Sequence, residues 1–340
     1  MKESDLFQLF PVTHHQKFAV FDQETLYIGG LDLDERRYDT KDHDRAAEQT
    51  WQDVQVTVRG PVVDAAWDHL NSFESVVAAK CDPAPAADGF LRTLSTKRWP
   101  SVLHISPKTL VTEIEDAHLR AVSQAHELIY LETQFLRHLP LAEALARQGR
   151  QQPDLRLIID VPAAPEDVAF EENTGRDARL GEQLQADAMQ CIQDGFGDRV
   201  LICSPAQRRP AFETDARDTL GKSPIVYVHS KVSIFDDAQA IVSSANLNGR
   251  SLRWDTEAGI HLTRTDHVQQ LRARIFDHWM PNTGTAPAQN LLQLFEDWRD
   301  RVWSDVNRAP KDRRCRLLPY DITAAEKLGK AAPFVPNELV

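Results

Sequence analysis

The stretch His229-Ser-Lys231-Val-Ser-Ile-Phe-Asp236 occurs in a second version near the start of the chain, as His15-Gln-Lys17-Phe-Ala-Val-Phe-Asp22, and this repeat indicates how the chain is organised. Both follow the pattern H-x-K-x-x-x-x-D, with apolar residues at most of the intervening positions. In each copy a short polar turn and a second β-like run follow, ending at Gly29-Gly30 in the first copy and at Ser243-Ser244-Ala245-Asn246 in the second. The chain is therefore predicted to contain two related halves.

The alternation of side chains along a strand gives these motifs a chemical meaning. Residues i and i+2 point to the same face, so His15 projects with Lys17 and His229 with Lys231. If the halves pack about a pseudo-twofold axis, the four side chains meet at one site. One imidazole can then attack the phosphorus of a phosphodiester, while the other protonates the leaving alkoxide and later activates water or an alcohol. The lysines, with Asn246 as a further donor, would hold the phosphate oxygens, and nothing in this scheme requires a metal or another cofactor.

The two motif aspartates have a different predicted role. Asp22 and Asp236 stand at odd offsets from their histidines and should face away from them, so they are expected to brace the turn. A lone histidine or lysine on a strand is usually structural or solvated, but duplication of the whole pattern favours a phosphate site.

Composition and charge narrow the classes of partner. The chain has 340 residues, 42% of them hydrophobic and 26% charged, and a formal net charge of −12, so it should bury a core and bind nucleic acid poorly. No apolar run approaches the length of a membrane span, and Met1–Lys17 has no signal-peptide pattern. None of the four cysteines forms a C-x-x-C pair, which argues against zinc. The expected location is cytoplasmic or peripheral to a membrane.

Strand-like and helix-like runs alternate along the chain, which indicates an α/β sandwich. The predicted domains are a first half (1–100), a second half (101–282) and a C-terminal extension (283–340). Three helices and three less regular segments are also predicted: helices over Val62–Val77, Pro107–His126 and Leu180–Asp194, linkers over Cys81–Ser101 and Pro281–Ala288, and an extended tail over Ala309–Val340.

The two motifs resemble the paired HKD motifs of the phospholipase D superfamily, and their flanks extend the likeness. The segments Gly29-Gly-Leu-Asp-Leu33, Arg37-Tyr-Asp-Thr40 and Trp51-Gln-Asp-Val54 resemble those that follow the first motif in phospholipases D, and Ser244–Ser251 resembles the segment after the second. The resemblance runs from about residue 11 to about residue 278. It implies an α/β fold of two pseudo-twofold-related α/β/α sandwich halves with one shared site.

The resemblance also implies roles for single residues. It implies a two-step, metal-independent mechanism through a phosphohistidine, with His15 as nucleophile and His229 as general acid. An acidic residue is expected behind each histidine: Asp53 behind His15 and Glu257 behind His229, with Asp255 as the alternative in the second half. Gly29, Gly30 and Ser244 belong to the small-residue segments that support the motifs.

Three features depart from the family pattern. Only 14 residues precede His15, so the first half is expected to be incomplete and the chain to be a fragment or a mis-started reading frame. Ser243 stands where a glycine is frequent, and Thr133 replaces the Asn of a Glu-Asn-Gln segment.

The preferred function is hydrolysis of a phosphatidylcholine-like phospholipid at a membrane surface, or transfer of the phosphatidyl group to a primary alcohol. The alternatives are a nuclease or a phosphatidyltransferase of the same superfamily, or an inactive truncated scaffold.

Overall fold

A computed structural model describes residues 12–98, 106–212, 216–281 and 290–340, and the predicted linker at 281–288 lies almost wholly outside them. The strands are, in chain order, β1 (Phe18–Phe21), β2 (Thr25–Gly29), β3 (Trp51–Gln52), β4 (Gln55–Arg59), β5 (Phe90–Thr96), β6 (Lys108–Thr112), β7 (Leu128–Thr133), β8 (Arg156–Asp160), β9 (Val200–Pro205), β10 (Thr219–Leu220), β11 (Ser223–Pro224), β12 (Tyr227–Val228), β13 (Lys231–Phe235), β14 (Gln239–Ser243), β15 (Glu257–Leu262) and β16 (Leu317–Pro319). The helices are α1 (Val62–Val77), α2 (Glu113–Gln124), α3 (Leu139–Gln151), α4 (Glu166–Phe170), α5 (Arg176–Phe196), α6 (Thr265–Trp279), α7 (Leu291–Asp305) and α8 (Ile322–Leu328).

One large sheet organises the second half. Within the described ranges it has nine strands in the order β16-β9-β8-β7-β13-β14-β15-β5-β6. Strands β7, β8 and β9 run parallel, and each of the other neighbouring pairs is antiparallel. The second histidine motif leads into β13, a central strand, so its backbone is held by hydrogen bonds on both sides.

Strand β7 shows how helices cover both faces of this sheet. Leu128 and Tyr130 pack into one hydrophobic cluster with residues of α6 and α7. Ile129 and Leu131 point the other way, into a cluster with α2, α3 and α5. Alternate apolar residues therefore serve opposite layers, as expected of a strand buried on both faces. An α/β fold is confirmed.

The first motif lies on a smaller sheet. Strands β1, β2 and β4 form an antiparallel sheet, with β1 and β2 joined by a hairpin. Leu26 and Ile28 of β2 are fully buried and share a cluster with Val242 and Ile260 of the large sheet. This shared core fixes the first motif against the second.

One sequence-based expectation about the middle of the chain was wrong, and another was wrong in part, because α2 occupies only the later portion of the predicted helix. The predicted linker Cys81–Ser101 contains β5, whose seven residues are all buried between β15 and β6. Its polar composition concealed it, because Arg92 is buried only through an ion pair with Glu113 at 2.7 Å. The predicted helix Pro107–His126 begins with β6, since the β-branched residues Thr109, Val111 and Thr112 favour the strand that pairs with β5.

The predicted tail Ala309–Val340 was also wrong in part, because it contains β16 and α8. Leu317 and Leu318 of β16 are buried against β9 at one edge of the large sheet. The sheet therefore takes strands from all three predicted domains, β5 from 1–100 and β16 from 283–340. The proposed domain boundaries remain a prediction.

Protonation of His118 is expected to destabilise the fold. The imidazole is buried on α2, with Nδ1 at 2.8 Å from the Ile114 carbonyl and Nε2 at 3.0 Å from Ser233 Oγ. Burial lowers the pKa of His118 from 6.5 to about 4. Between pH 4 and pH 6.5 the unfolded chain therefore binds a proton at His118 that the folded chain does not bind. The contribution to the free energy of unfolding should be complete above pH 6.5 and fall by about 1.4 kcal/mol per pH unit as the pH decreases towards 4.

Urea unfolding of the wild type and of His118→Gln, measured between pH 7 and pH 4.5, tests this. The stability difference between the two proteins should shrink on acidification. The free energy of unfolding of His267→Gln, which removes an exposed histidine, should change with pH in the same way as that of the wild type. A His118→Gln curve that also stays parallel would contradict the prediction.

Candidate active site

The first motif approaches the site along a segment of the second half. The Thr256 amide donates to the Thr13 carbonyl at 3.0 Å, and the His15 amide donates to the Thr256 carbonyl at 3.0 Å. This pairing brings His15 beside Glu257, the first residue of β15. The His15 Nδ1 lies 3.0 Å from Glu257 Oε1.

The second motif approaches along a segment of the first half in the same way. Strand β12 pairs in parallel with β3, and the His229 amide donates to the Gln52 carbonyl at 2.8 Å. This register brings His229 beside Asp53, the residue that follows β3. The His229 Nδ1 lies 2.7 Å from Asp53 Oδ2.

The predicted pairing of carboxylates and histidines was wrong, because the two partners are exchanged. Glu257 is hydrogen-bonded to His15, and Asp53 is hydrogen-bonded to His229. The physical reason is that each motif is hydrogen-bonded to the other half just before the carboxylate, so the carboxylate meets the other half's imidazole. Asp255, the alternative, accepts from the Thr13 amide at 2.7 Å and from Arg250 Nε at 3.0 Å.

The structure brings both lysines into the same neighbourhood. Lys17 Nζ donates to the His15 carbonyl at 3.0 Å and lies 3.1 Å from Asp32 Oδ1. Lys231 Nζ donates to the His229 carbonyl and is buried. Each ammonium therefore lies over the backbone of its own motif.

Burial controls the protonation of the second histidine pair. Burial, together with the charges of Lys231, Arg37 and Lys17, lowers the pKa of His229 well below its ordinary value. Burial raises the pKa of Asp53 to about 6, although Lys231 opposes this shift. Burial likewise lowers the pKa of Lys231 to about 7, against the attraction of Asp53. The His229 imidazole is thus neutral in the free protein at pH 7.

The pKa of Glu257, the carboxylate that pairs with His15, is shifted in the opposite direction to that of Asp53. Burial alone would raise the pKa of Glu257, but the charge and hydrogen bond of His15, together with Ser244, outweigh it, so the pKa is lowered. Glu257 is fully buried, whereas the His15 side chain is 26% exposed. An ionised Glu257 fixes the Nδ1–H tautomer of His15 and leaves Nε2 free to react.

Sequence reasoning about the motifs missed two charged residues at the site. Asp32 lies 3.1 Å from Lys17 Nζ, 3.2 Å from Arg37 Nη2 and 4.0 Å from His229 Nε2. The Arg37 guanidinium stacks over the Trp51 ring at 4.4 Å. Both residues lie in the flanking segments that resemble the family, and this likeness could have identified them as site residues from the sequence.

A buried carboxylate on the large sheet also holds the second motif. Glu132 of β7 is fully buried and accepts hydrogen bonds from Ser230 Oγ, from Tyr130 Oη at 2.5 Å and from Trp279 Nε1 at 2.8 Å. Since Ser230 lies between His229 and Lys231, Glu132 anchors the motif on the face opposite these two side chains. Burial raises the pKa of Glu132.

The predicted supporting residues lie close to the carboxylates. A side chain at Gly30 would place a Cβ 2.4 Å from Asp53 Oδ1, and one at Gly29 would place it 2.2 Å from the Val54 carbonyl. Ser244 Oγ donates to Glu257. The segments after each motif are therefore small because the carboxylates and the neighbouring backbone occupy the space.

Asp236 braces the backbone, as was predicted from its offset. Its carboxylate accepts from the amides of His126, Glu127 and Leu128 at 2.6–2.8 Å, at the start of β7. Asp22 and Asp236 have equivalent left-handed backbone conformations, with φ of 52° and 51°. Both aspartates thus lie at hairpin turns, away from the histidines.

Asn246 lies on the other side of the site from Asp32. Its Nδ2 donates to Gln134 Oε1 at 3.2 Å, and its Oδ1 is buried without a hydrogen-bond partner among the described residues. Asn246 and His15 line a cavity of about 330 Å³. Asp32, Arg37 and Asp53 line a larger one of about 910 Å³. One cavity therefore borders His15, and the other borders Asp53, the carboxylate partner of His229.

The described residues contain neither a metal-site cluster nor a membrane-spanning helix. No cluster of three or more His, Cys, Asp or Glu side chains there has the arrangement of a metal site. No helix in the described ranges is both long enough and apolar enough to cross a bilayer.

Comparison with known proteins agrees with the paired motifs. A family model described as "Cardiolipin synthase, PLD-like domain" matches residues 118–279. Phospholipase D alpha 4 of Arabidopsis thaliana is 22% identical over 377 aligned positions, covering 80% of this chain and 49% of the relative. These findings support the phospholipase D superfamily for this chain. It spans about half the length of this plant relative.

Other members of the superfamily extend the comparison. Phospholipase D1 of Saccharomyces cerevisiae is 22% identical over 344 positions, covering 75% of this chain and 20% of the yeast protein. The solved structure of a phosphatidylserine synthase from Haemophilus influenzae aligns with a TM-score of 0.50 and 13% identity, over 89% of this chain and 71% of that chain. The structural likeness shows a shared fold.

The exchanged pairing predicts which carboxylate controls which imidazole. In ¹⁵N-histidine NMR spectra, Glu257→Gln should shift the ring signals of His15 because it removes the charge at Nδ1, and should leave those of His229 almost unchanged. Asp53→Asn should do the reverse. Asp255→Asn, which alters a neighbouring carboxylate without an imidazole contact, is the control. Shifts in the opposite pairing would contradict the structure.

Proposed function

We propose that the chain is a phospholipase D-type phosphodiesterase. It would hydrolyse a phosphatidylcholine-like phospholipid to phosphatidate and free headgroup, or transfer the phosphatidyl group to a primary alcohol. The observation that carries the proposal is the paired arrangement of two imidazoles, each with a carboxylate at Nδ1 and a lysine two residues later. Such a pair can divide nucleophilic and acid–base work on one phosphorus atom.

In the proposed first step, His15 Nε2 attacks the phosphorus of the diester. An N–P bond forms, the P–O bond to the headgroup breaks, and His229 Nε2 donates its proton to the departing alkoxide. Lys17 and Lys231 offset the negative charge that accumulates on the phosphate oxygens. The product of this step is a phosphatidyl-histidine at residue 15 and a free alcohol.

In the second step the roles of His229 reverse. It accepts a proton from water or from a primary alcohol, whose oxygen attacks the phosphorus. The N–P bond breaks, His15 is regenerated, and phosphatidate or a phosphatidylalcohol is released. Burial and, after it, nearby cations lower the pKa of free His229, so we expect the anionic phosphate, which offsets the cations, to raise that pKa on binding and so prepare the general acid.

The surroundings of the site support a lipid over a nucleic acid. The larger cavity is lined by five acidic side chains and three basic ones, and this acidic excess disfavours a polyanion; they are Asp32, Asp34, Glu35, Asp39, Asp53, Arg37, Lys41 and Arg45. At the same cavity Leu33 is 99% exposed and Tyr38 is 73% exposed. Apolar side chains at the mouth of the site suit contact with a phospholipid surface.

A transphosphatidylation assay tests the proposed reaction. Phosphatidylcholine vesicles, a primary alcohol and EDTA are incubated with the protein, and the phosphatidylalcohol is measured by mass spectrometry. We expect product with the wild type and a loss of about 10²–10⁴-fold in His15→Ala and in His229→Ala, because each removes an acid–base or nucleophilic group. His267→Gln is the matched control. If the folded wild type forms no product, or if EDTA abolishes it, this proposal fails.

The order of the two histidines can be tested with a donor whose leaving group needs no protonation. With phosphatidyl-p-nitrophenol, His229→Ala should still release a burst of p-nitrophenol and accumulate a covalent adduct, since a good leaving group bypasses the general acid. Peptide mass spectrometry after an alkaline quench should place the adduct on His15. His15→Ala should give neither burst nor adduct. An adduct on His229 would reverse the assignment.

A further inference from the structure

Arg137 is a buried cation that has no ion-pair partner among the residues that the structure describes. It follows β7, and only 8% of its surface is exposed. Its guanidinium stacks over the Phe135 ring at 4.0 Å, and its Nε is buried without an acceptor. The side chain makes no hydrogen bond or ion pair with any residue in the described ranges. A buried guanidinium is costly unless an anion compensates it, so an anionic ligand is the expected partner.

The fold makes room for this guanidinium. A Cβ at Gly181, in the middle of α5, would lie 2.6–2.9 Å from the Arg137 guanidinium atoms. Glycine is unfavourable inside a helix, so its presence on α5 has a packing reason here. The Arg137 amide also donates to the Leu247 carbonyl at 2.8 Å, which ties this loop to the loop that carries Asn246.

Arg137 lines the 330 Å³ cavity that also contains His15 and Asn246. The other charged side chains that line it are Arg250, Asp255 and Asp177. Arg250 and Asp255 are paired at 3.0 Å, and so neutralise each other.

Two further acidic residues lie near Arg137 but do not pair with it. Glu182 binds Arg217 at 2.6 Å, and Asp167 accepts from Asn173 at 2.6 Å. Arg137 thus makes no ion pair with a described residue, although the charges of Glu182 and Asp167 act on it, and the cavity that it lines with His15 also contains the Asp177 carboxylate. A planar guanidinium recognises phosphate and carboxylate oxygens in particular.

We propose that this cavity binds a second oxyanion of the substrate, a phosphate or carboxylate carried by the phospholipid in addition to the diester phosphate that reacts. Arg137 would then be a specificity-determining residue. The inference rests on the proposed phospholipase activity and adds that acidic phospholipids are preferred to phosphatidylcholine as substrates. The small cavity volume suits a headgroup-sized group.

Turnover of three lipids in detergent micelles tests the proposal. Phosphatidylcholine has no second anion, phosphatidylserine adds a carboxylate, and cardiolipin adds a phosphate. We expect Arg137→Gln to lower kcat/KM by about tenfold or more for phosphatidylserine, cardiolipin or both, as for the loss of one charge-assisted contact, and to leave phosphatidylcholine within about twofold. A loss confined to one acidic lipid identifies the carboxylate or the phosphate. An equal loss for all three lipids, or no loss, would overturn the proposal.

Two variants separate this effect from charge and from folding. Arg264→Gln removes an exposed arginine and makes the same change in net charge, so it should keep the wild-type lipid preference. Gly181→Ala keeps the charge of Arg137 but displaces its guanidinium, so it should lose the preference as Arg137→Gln does. The melting temperature of Arg137→Gln should not fall, because an unpaired buried charge is removed.

Direct binding distinguishes failure of this inference from failure of the proposed reaction. By calorimetry, the wild type should bind O-phosphoserine more tightly than phosphoethanolamine, or pyrophosphate more tightly than phosphate. Arg137→Gln should abolish the difference. Equal affinities in the wild type would refute the second oxyanion site even in a protein with full turnover. A clear difference would support the site even if no lipid is hydrolysed.

Discussion

The exchanged carboxylate–histidine pairs are the constraint on which the rest of the site depends. His15 is held by Glu257 of the second half, and His229 is held by Asp53 of the first. Neither half can orient its own imidazole. Both imidazole–carboxylate pairs therefore form only when the two halves are docked, and the cluster shared by Leu26, Ile28 and the large sheet holds the halves together.

Charge balance at the buried centre follows from this exchange. Lys17, Lys231 and Arg37 lie close to His229, and the carboxylates of Asp53, Asp32 and Glu257 oppose their charge. Because His229, Lys231 and Glu257 are buried, these charges act strongly on the imidazole. Under the proposed function, the diester phosphate would add one more negative charge to this cluster. Arg137 is a further buried cation, and it lines the same cavity as His15.

Local sequence was informative where local forces decide the structure. Helix α1 has the predicted bounds Val62–Val77. Helix α5 ends at Phe196, two residues beyond the predicted end at Asp194, and the following Gly197 takes a φ of +60°. Strand β5 was missed because its polar residues are buried only by pairing with β15 and β6, and by the ion pair of Arg92 with Glu113. Segments that depend on distant partners cannot be recognised from their own composition.

The sequence by itself determined the duplicated motif, the α/β class and the residue types at the site, because these follow from strand periodicity and from the chemistry that two histidines and two lysines can perform. The tertiary structure was needed to show which carboxylate pairs with which histidine, that Asp32 and Arg37 join the site, and that Arg137 makes no ion pair with any described residue. These depend on how β3 pairs with β12 and how the chain at Thr13–His15 pairs with Thr256. Such pairings join residues more than 170 positions apart, and no local pattern encodes them.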